Sequence, residues 1–530
     1  MKLLIDNITL NPDEKQEHIE EIIKRRFGID FDFKYSITRK SLDARKKEKI
    51  VYRYRVIIDV PDDKAELFLD NKDVTAYTTK EFPSIVRRTI RETVAIVGSG
   101  PAGLFCALRL IEAGARIEIF ERGKPVEDRM KDIEILETSG ILNERSNVLF
   151  GEGGAGTYSD GKLTTRTRRP EIDWFFRYLV DFGAPSSILY EAKPHLGTDR
   201  LRGIVRNIRE RIIASGSQVN FNESIEDLII HDGSIAGFVT SKGRELRTSR
   251  LVLAIGHSAR DTYAVLESKG IALEKKGFAV GVRIEHPADL INAIQYGSSP
   301  YRDVLPAADY TLAYANRDTG RGVYSFCMCP GGRVINSSSE HERLCTNGMS
   351  LSKRNLSFSN SALVVTVGPD DCGRDLLDGI HFQRAIEKEA FAAGGGAFRA
   401  PAQRVTSFLH DRIDAELPPV SYRPGVYPAE LKRLIPDWIT AELKAGLKYF
   451  NRRMKGFITD DGVLIGVETR TSSPVRITRG DDFQSVSARG VYPVGEGAGY
   501  AGGIVSSAVD GIRCADSIIA GCTNNVTNVR

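Results

Sequence analysis

The 530-residue sequence has no apolar run near the roughly 18 residues that a membrane-crossing helix requires, so no spanning segment is expected. Its opening stretch, MKLLIDNITLNPDEK, returns to charge at Asp6 and does not read as a secretory signal. No internal repeat and no low-complexity tract is visible. The 7 cysteines are odd in number and scattered, which excludes a regular disulfide framework and points to reduced thiols in the cytoplasm. Neither sign of charge dominates. Lys plus Arg number 74 against 70 for Asp plus Glu, and a net charge of +4 is too small for bulk attraction to nucleic acid or membranes.

The length exceeds what one core usually supports, so two or three domains are expected. Residues 1–90 read as a small α+β module: a strand over 3–10, an amphipathic helix over 13–26, and strands over 31–38 and 50–60. Between Lys34 and Arg55 lie nine Lys or Arg against Asp43 and Glu48. A solvated hairpin tip is the plainer reading, and an anionic partner such as RNA the sharper one. No aromatic RNA-binding motif accompanies the charge. From Thr93 strands alternate with helices through about residue 275, which argues for an α/β doubly wound sheet. Residues 276–484 loosen into a mixed α+β region, and 485–530 return to a strand, a Gly-rich turn and a helix. The expected division is 91–275 and 485–530 as two parts of one nucleotide-binding domain, interrupted by 276–484.

VAIVGSGPAGLFCALRLIEAGARIEIFERG spans 94–123. Gly98, Gly100 and Gly103 make GxGxxG between a strand and a helix. The first permits the tight turn, the second lets a pyrophosphate approach the backbone, and the third allows close helix–strand packing. Amides at the helix start then face phosphate charge. Glu121, at the end of the next strand and at the expected spacing of about 20 residues, is placed to accept from a ribose hydroxyl. Strand, glycines, helix, strand and terminal acid together predict dinucleotide binding far more specifically than the glycines alone.

That fold serves both NAD and FAD. GEGGAGTYSDGKL at 151–163 offers backbone amides around Gly154 and Gly156, with the hydroxyls of Thr157 and Ser159, suited to wrapping a pyrophosphate and an extended chain; a plain surface loop is the alternative. VYPVGEG at 491–497 resembles the late FAD motif of the glutathione reductase-like flavoproteins, with Glu496 where those have Asp. The turn to Ile504 and the helix after it could present amides of Gly502, Gly503 and Ile504 to a flavin edge. Ala254-Ile255-Gly256 adds a smaller hint. With AIGHSARDTY, FAVGVRIEHP, SFCMCPGG, GVETRTSSPVRI and GEGAGYAGGIVSSAVDGI, the chain resembles the FAD-dependent dehydrogenase family of bacteria and plastids over almost its whole length. The resemblance implies FAD as cofactor and a Rossmann-type domain interrupted by a substrate domain. The candidate FAD-binding set is Gly98, Gly100, Pro101, Ala102, Gly103, Glu121, Arg122, Gly154, Gly156, Thr157, Ser159, Lys162, Ile225, Ala254, Gly256, Gly495, Glu496, Gly502, Gly503 and Ile504.

Flavin brings its own redox chemistry, so the protein must orient a substrate against it. No second GxGxxG with strand and helix context predicts a dedicated NAD(P)H domain. If 323–329 is a strand, Cys327 and Cys329 face one side about 6.6 Å apart, near the upper limit for a disulfide. Core thiols, flavin-adjacent or substrate-contacting thiols, and metal ligands compete as readings; the first leads, and no neighbouring His or second Cys pair supports a metal. His257 could donate to a substrate or protonate a product, or hydrogen-bond the backbone near FAD. Arg283 and Arg470 are candidate substrate-anion ligands, against a plain strand role for each. AGGGAFRAPAQ at 393–403 reads as a flexible loop and a possible lid. The leading function is a cytoplasmic FAD-dependent dehydrogenase or reductase moving hydride to or from a small organic substrate. An FAD-dependent RNA-modifying protein anchored by the basic hairpin, and a non-catalytic flavin-binding regulator, are the alternatives. Oligomeric state and substrate are not encoded in any recognisable motif.

Overall fold

The computed structural model describes residues 1–78, 90, 92–165 and 168–522; residues 79–89 and 91, which hold the expected first junction, lie outside the described residues. Short strands, apolar at the centre and more polar toward one edge, form the middle of the nucleotide-binding part. Val94–Val97, Leu251–Leu253, Ile117–Phe120, Gln218–Asn220 and Val491–Pro493 assemble into a five-stranded sheet of parallel pairs, with 491–493 at one edge beside 251–253. All four residues of Val94–Val97 are buried, as a strand covered on both faces must be. Segments some four hundred positions apart therefore share one sheet. Helix Ile504–Gly521 packs on helix Pro101–Glu112 so closely that a Cβ at Gly511 would lie 2.0 Å from the Ala102 carbonyl oxygen. A three-stranded antiparallel sheet, Ile225–His231, Ser234–Thr240 and Glu245–Arg247, flanks this unit.

The interrupting region is more regular than its sequence pattern suggests. An eight-stranded sheet runs through it, largely antiparallel, with Phe278–Pro287 paired between Phe358–Val367 and Val463–Glu468. Its core is the largest in the molecule and includes Val280, Val282, Val365, Leu443 and Leu464. Within 393–403, Ala400–Arg404 is a strand inside this sheet, paired with Val463–Glu468, and Phe398 is buried. Backbone pairing and a buried aromatic ring are incompatible with a lid there.

The amino-terminal module is a four-stranded sheet covered by helix His18–Phe27. The second strand runs Lys34–Asp43, later than the expected 31–38, and makes a hairpin with Val51–Asp59. This hairpin is docked at two places. Lys40 exchanges backbone hydrogen bonds with Tyr190 and Ala192, and Lys47 Nζ donates to the Ile294 carbonyl at 2.7 Å. Ile50, 1% exposed, sits in the core of the eight-stranded sheet. Much of the basic charge is matched locally: Asp43 takes Arg45 and Arg53, and Asp6 takes Arg55. Among the described residues no helix is long and apolar enough to cross a membrane.

Candidate functional site

A cleft runs from the first Gly-rich turn, across the 151–162 loop, to the facing edge of the eight-stranded sheet. At one end the chain is built around glycine and backbone amides. Gly98 has φ +102°, and a Cβ there would lie 2.2 Å from the Ala254 carbonyl oxygen; at Gly103 it would lie 2.0 Å from the Gly98 oxygen. Gly100, Pro101, Ala102, Gly154 and Gly156 line the cleft, where Gly100 meets only the Cα of Gly154. A phosphate can approach this surface because no side chain stands on it.

Glu121 lies below the turn, 5% exposed. Its Oε2 accepts from Ser99 N (2.9 Å) and Oγ (2.8 Å), and its Oε1 accepts from the amides of Gly123 (2.9 Å) and Gly151 (3.0 Å). Four donors let it tie the first turn to the 151 loop, and it also lines the cleft. Arg122 lines the cleft with its guanidinium 4.5 Å over the Phe150 ring, and Ile225, Ala254 and Gly256 complete this wall.

Arg129 went unnoticed in the sequence and organises the same end. It is fully buried, and its guanidinium donates to the carbonyls of Asn147 (2.7 Å), Val148 (2.7 Å), Glu152 (2.7 Å) and Gly154 (2.9 Å). No carboxylate bonds to it among the described residues. Burial works against its charge, and only the more distant Tyr158, Glu121 and Glu152 favour it. A buried cation satisfied by carbonyls leaves its positive field for an anion in the cleft. Thr157 packs beneath the loop and does not face the cleft; Ser159 does.

Gly502, Gly503 and Ile504, at the start of helix Ile504–Gly521, line the cleft beside Val494 and Glu496. Gly495 lies just behind, φ +76°, its amide donating to Asp510 Oδ2 at 2.8 Å; a Cβ there would press on Ala102 at 2.7 Å. A bare glycine surface, two helix N-termini and a buried unpaired guanidinium fit an extended dinucleotide with a negative pyrophosphate.

The other end is made of titratable side chains. Strand Gly322–Asn336 pairs Phe326 with Ala362 but Cys329 with Asn360, so one extra residue is inserted, and Cys327 takes φ +45°. This β-bulge overturns the expectation that both thiols share a face. Cys327 lines the cleft; Cys329 is fully buried behind it, its Sγ donating to the Cys327 carbonyl at 3.3 Å. The Cys329 hydrogen bond pulls the Cys327 thiol well below its ordinary range, against burial, with Arg283 and Lys162 adding positive charge. Burial pushes Cys329 the other way. Lys162 lines the cleft and donates to the Met328 carbonyl.

Arg283, expected to bind substrate, does not line the cleft. It is fully buried, paired with Glu468 at 2.8 Å, and donates to Asn360 (2.9 Å) and to the Cys327 carbonyl (2.6 Å). It holds the bulge in place. Arg470 does line the cleft, but Glu387 engages it at 2.9 and 2.7 Å, and Arg260 grips the same carboxylate from the other side at 2.8 Å twice. Burial raises the Glu387 carboxyl, and the two guanidiniums outweigh it and hold the group ionised.

His257 lines the cleft, its Nδ1 3.9 Å from Glu496 Oε2 and its Nε2 buried without a partner. Burial, then Arg470, Arg260 and Lys276, push its pKa down to about 3. A neutral imidazole at physiological pH keeps one N–H to donate to a substrate and one lone pair to accept, but it is not the acidic imidazolium that would protonate a product. Glu496 moves oppositely. Burial raises it to about 7, with Lys276 pulling down and Cys327 pushing up. Of the cleft-lining candidates, Glu496 and Cys327 are both poised near neutrality.

Residues 277–471 match the family described as FAD-dependent protein, C-terminal domain-like, residues 93–128 match an FAD binding domain, and residues 1–59 match a domain of unknown function. An uncharacterized protein of Clostridium beijerinckii is 44% identical over 527 residues, 98% of this chain and 99% of its own. The thiamine thiazole synthase of Aeropyrum pernix is 26% identical over 238 residues, 42% of this chain and 75% of its own. The solved glycerol-3-phosphate dehydrogenase from Bacillus halodurans, complexed with FAD, aligns over 82% of this chain and 65% of its own at 11% identity and a TM-score of 0.35. The chain belongs to the family of FAD-dependent proteins that it shares with the Clostridium beijerinckii protein, and it is a flavoprotein oxidoreductase with FAD as its cofactor.

Proposed function

We propose that the chain is a dehydrogenase or reductase that moves a hydride between FAD and a small organic substrate held against Cys327, with residues 276–484 acting as the substrate domain. The observation that carries this reading is the convergence of Cys327, Glu496 and His257 on the cleft that also contains the glycine surface of Gly98, Gly100 and Gly154. FAD supplies the two-electron chemistry when bound.

The protein residues supply placement and proton control. Cys327 presents a thiol biased toward thiolate at the substrate end, where it can contact an electron-poor centre. Glu496, titrating near 7, can hold or release a proton at its carboxyl without a large penalty in either direction. His257 stays neutral and serves as a fixed hydrogen-bonding group. Arg283 and Arg470 act from behind as positioning residues: the first sets the bulge, and the second anchors the wall beside His257.

An anaerobic spectral screen tests the reading. Purified holoprotein is mixed with a panel of metabolites, NADH and NADPH included, and the flavin absorbance is followed. At least one donor should bleach it far faster than free FAD, and Cys327→Ala should slow that bleaching with flavin content unchanged. A panel in which nothing outpaces free flavin would overturn the enzymatic reading in favour of a flavin-binding regulator.

A further inference from the structure

A second cavity of about 360 Å³ lies on the other side of the 151–159 loop from the cofactor cleft. That size is within the roughly 300–1,000 Å³ usual for small-molecule pockets, and its place between the nucleotide-binding part and the eight-stranded sheet is a usual one for them. Its apolar wall is a cluster separate from the main cores: Ile133, Val148, Tyr158, Ile335 and Met349.

Two polar groups on this wall have no adequate partner. Tyr158 is 6% exposed, and its phenolic oxygen is buried with nothing to bond to. Burial keeps it an O–H donor, while the positive charge of Arg202 acts on it from nearby. Arg202 lines the cavity, and the contact of its Nη1 is with Met130 Sδ at 2.7 Å, a weak acceptor. The other charges at the mouth cancel. Glu137 pairs with Arg333 (2.9 Å) and Arg423 (3.0 Å), and Glu134 pairs with Arg423 (2.5 Å). Arg202 has no ion-pair partner among the described residues. A guanidinium with no ion-pair partner beside an apolar wall complements a molecule with a carboxylate head and a hydrocarbon body.

We infer that this cavity is a second binding site, for an amphipathic monocarboxylate whose head is held by Arg202 and whose body lies along Ile133, Ile335, Met349 and the ring of Tyr158. The site is independent of the reaction proposed above. It is nevertheless wired to the cofactor. The Tyr158 ring stands 4.7 Å from the guanidinium carbon of Arg129, and Arg129 holds the Glu152 and Gly154 carbonyls of the cofactor loop. A ligand resting on Tyr158 therefore bears on FAD affinity, and FAD bears equally on the ligand.

Titration calorimetry on the holoprotein tests this with octanoate, 1-octanol and octyltrimethylammonium as probes. Octanoate should bind, and the alcohol and the cation should bind at least about tenfold more weakly. Arg202→Gln should weaken octanoate about tenfold, whereas Tyr158→Phe, which removes only a hydroxyl turned away from the cavity, should leave it within about twofold. Ile335→Trp, which fills the cavity, should abolish binding, with Met349→Phe as the substitute if that variant fails to retain FAD. No octanoate binding at millimolar concentration would overturn the site, as would equal binding in wild type, Arg202→Gln and a filled variant. The coupling is read separately from the FAD dissociation constant with and without saturating octanoate; identical values would refute it and leave the site standing.

Discussion

The two ends of the cofactor cleft are built on opposite principles. At the glycine end Glu121 is engaged by four donors and Arg129 by carbonyls of the 147–154 loop. The surface left to the ligand is mostly backbone, with Arg122 and Ser159 beside it. At the thiol end side chains reach the cleft directly, and their proton affinities are displaced: Cys327 downward, His257 to about 3, Glu496 to about 7. The first end is organised to hold and the second to react, since satisfied backbone gives rigidity and displaced titration gives chemistry near neutral pH.

Substitutions at the first end should cost flavin and leave the pH profile alone; those at the second should do the reverse. The largest effect is expected from Gly103→Val, which drives a branched side chain into the Gly98 carbonyl. Purified protein should contain no FAD by absorbance, and a yellow variant would break the account of that turn. Arg129→Met comes next. It leaves the carbonyls of Asn147, Val148 and Glu152 without a donor, and FAD affinity should fall about hundredfold, with Arg129→Lys recovering only part because it cannot span them. Equilibrium dialysis measures both. At the other end, Cys327→Ser should cut flavin reduction by the native donor at least about tenfold at unchanged flavin content. In wild type, iodoacetamide should modify Cys327 at a pH well below the ordinary thiol range, and Arg283→Lys should shift that profile upward. The smallest effect concerns Glu496. Burial raises its carboxyl from 4.5 to about 7, so between those values the folded protein binds more protons than the unfolded chain, and stability is lost as pH rises through that window. Glu496→Gln removes the loss. Thermal denaturation of the apoprotein should show it gaining about 1–3 kcal/mol over wild type at pH 8 and little at pH 4.

The glycine end was largely legible in the sequence because its requirements are local. GxGxxG must follow a strand and open a helix, and Glu121 must end the next strand; such spacing survives as pattern. The pattern did not announce that Glu121 also ties Ser99 to Gly151, a link that only the folded loops create. Arg129 left a trace that was not read. Val126, Ile133 and Leu136 form a buried stripe on their helix, and Arg129 interrupts it at helical spacing. A charge inside an apolar stripe is a prompt to look for a buried partner. The thiol end was not legible to the same degree. Cys327 and Cys329 were found, but the bulge that separates them depends on pairing with residues 358–367. The pair formed by Arg283 and Glu468 likewise joins strands nearly two hundred residues apart, and nothing in either stretch announces the other.

The docked hairpin changes how the first sixty residues should be regarded. Lys40 completes a backbone edge at Tyr190 and Ala192, and Ile50 plugs the core of the eight-stranded sheet, so one small module is fastened to both the nucleotide-binding part and the interrupting region. Trimming it away would strip hydrogen-bond partners from the first and uncover oily surface on the second, although every cofactor and thiol residue would be kept.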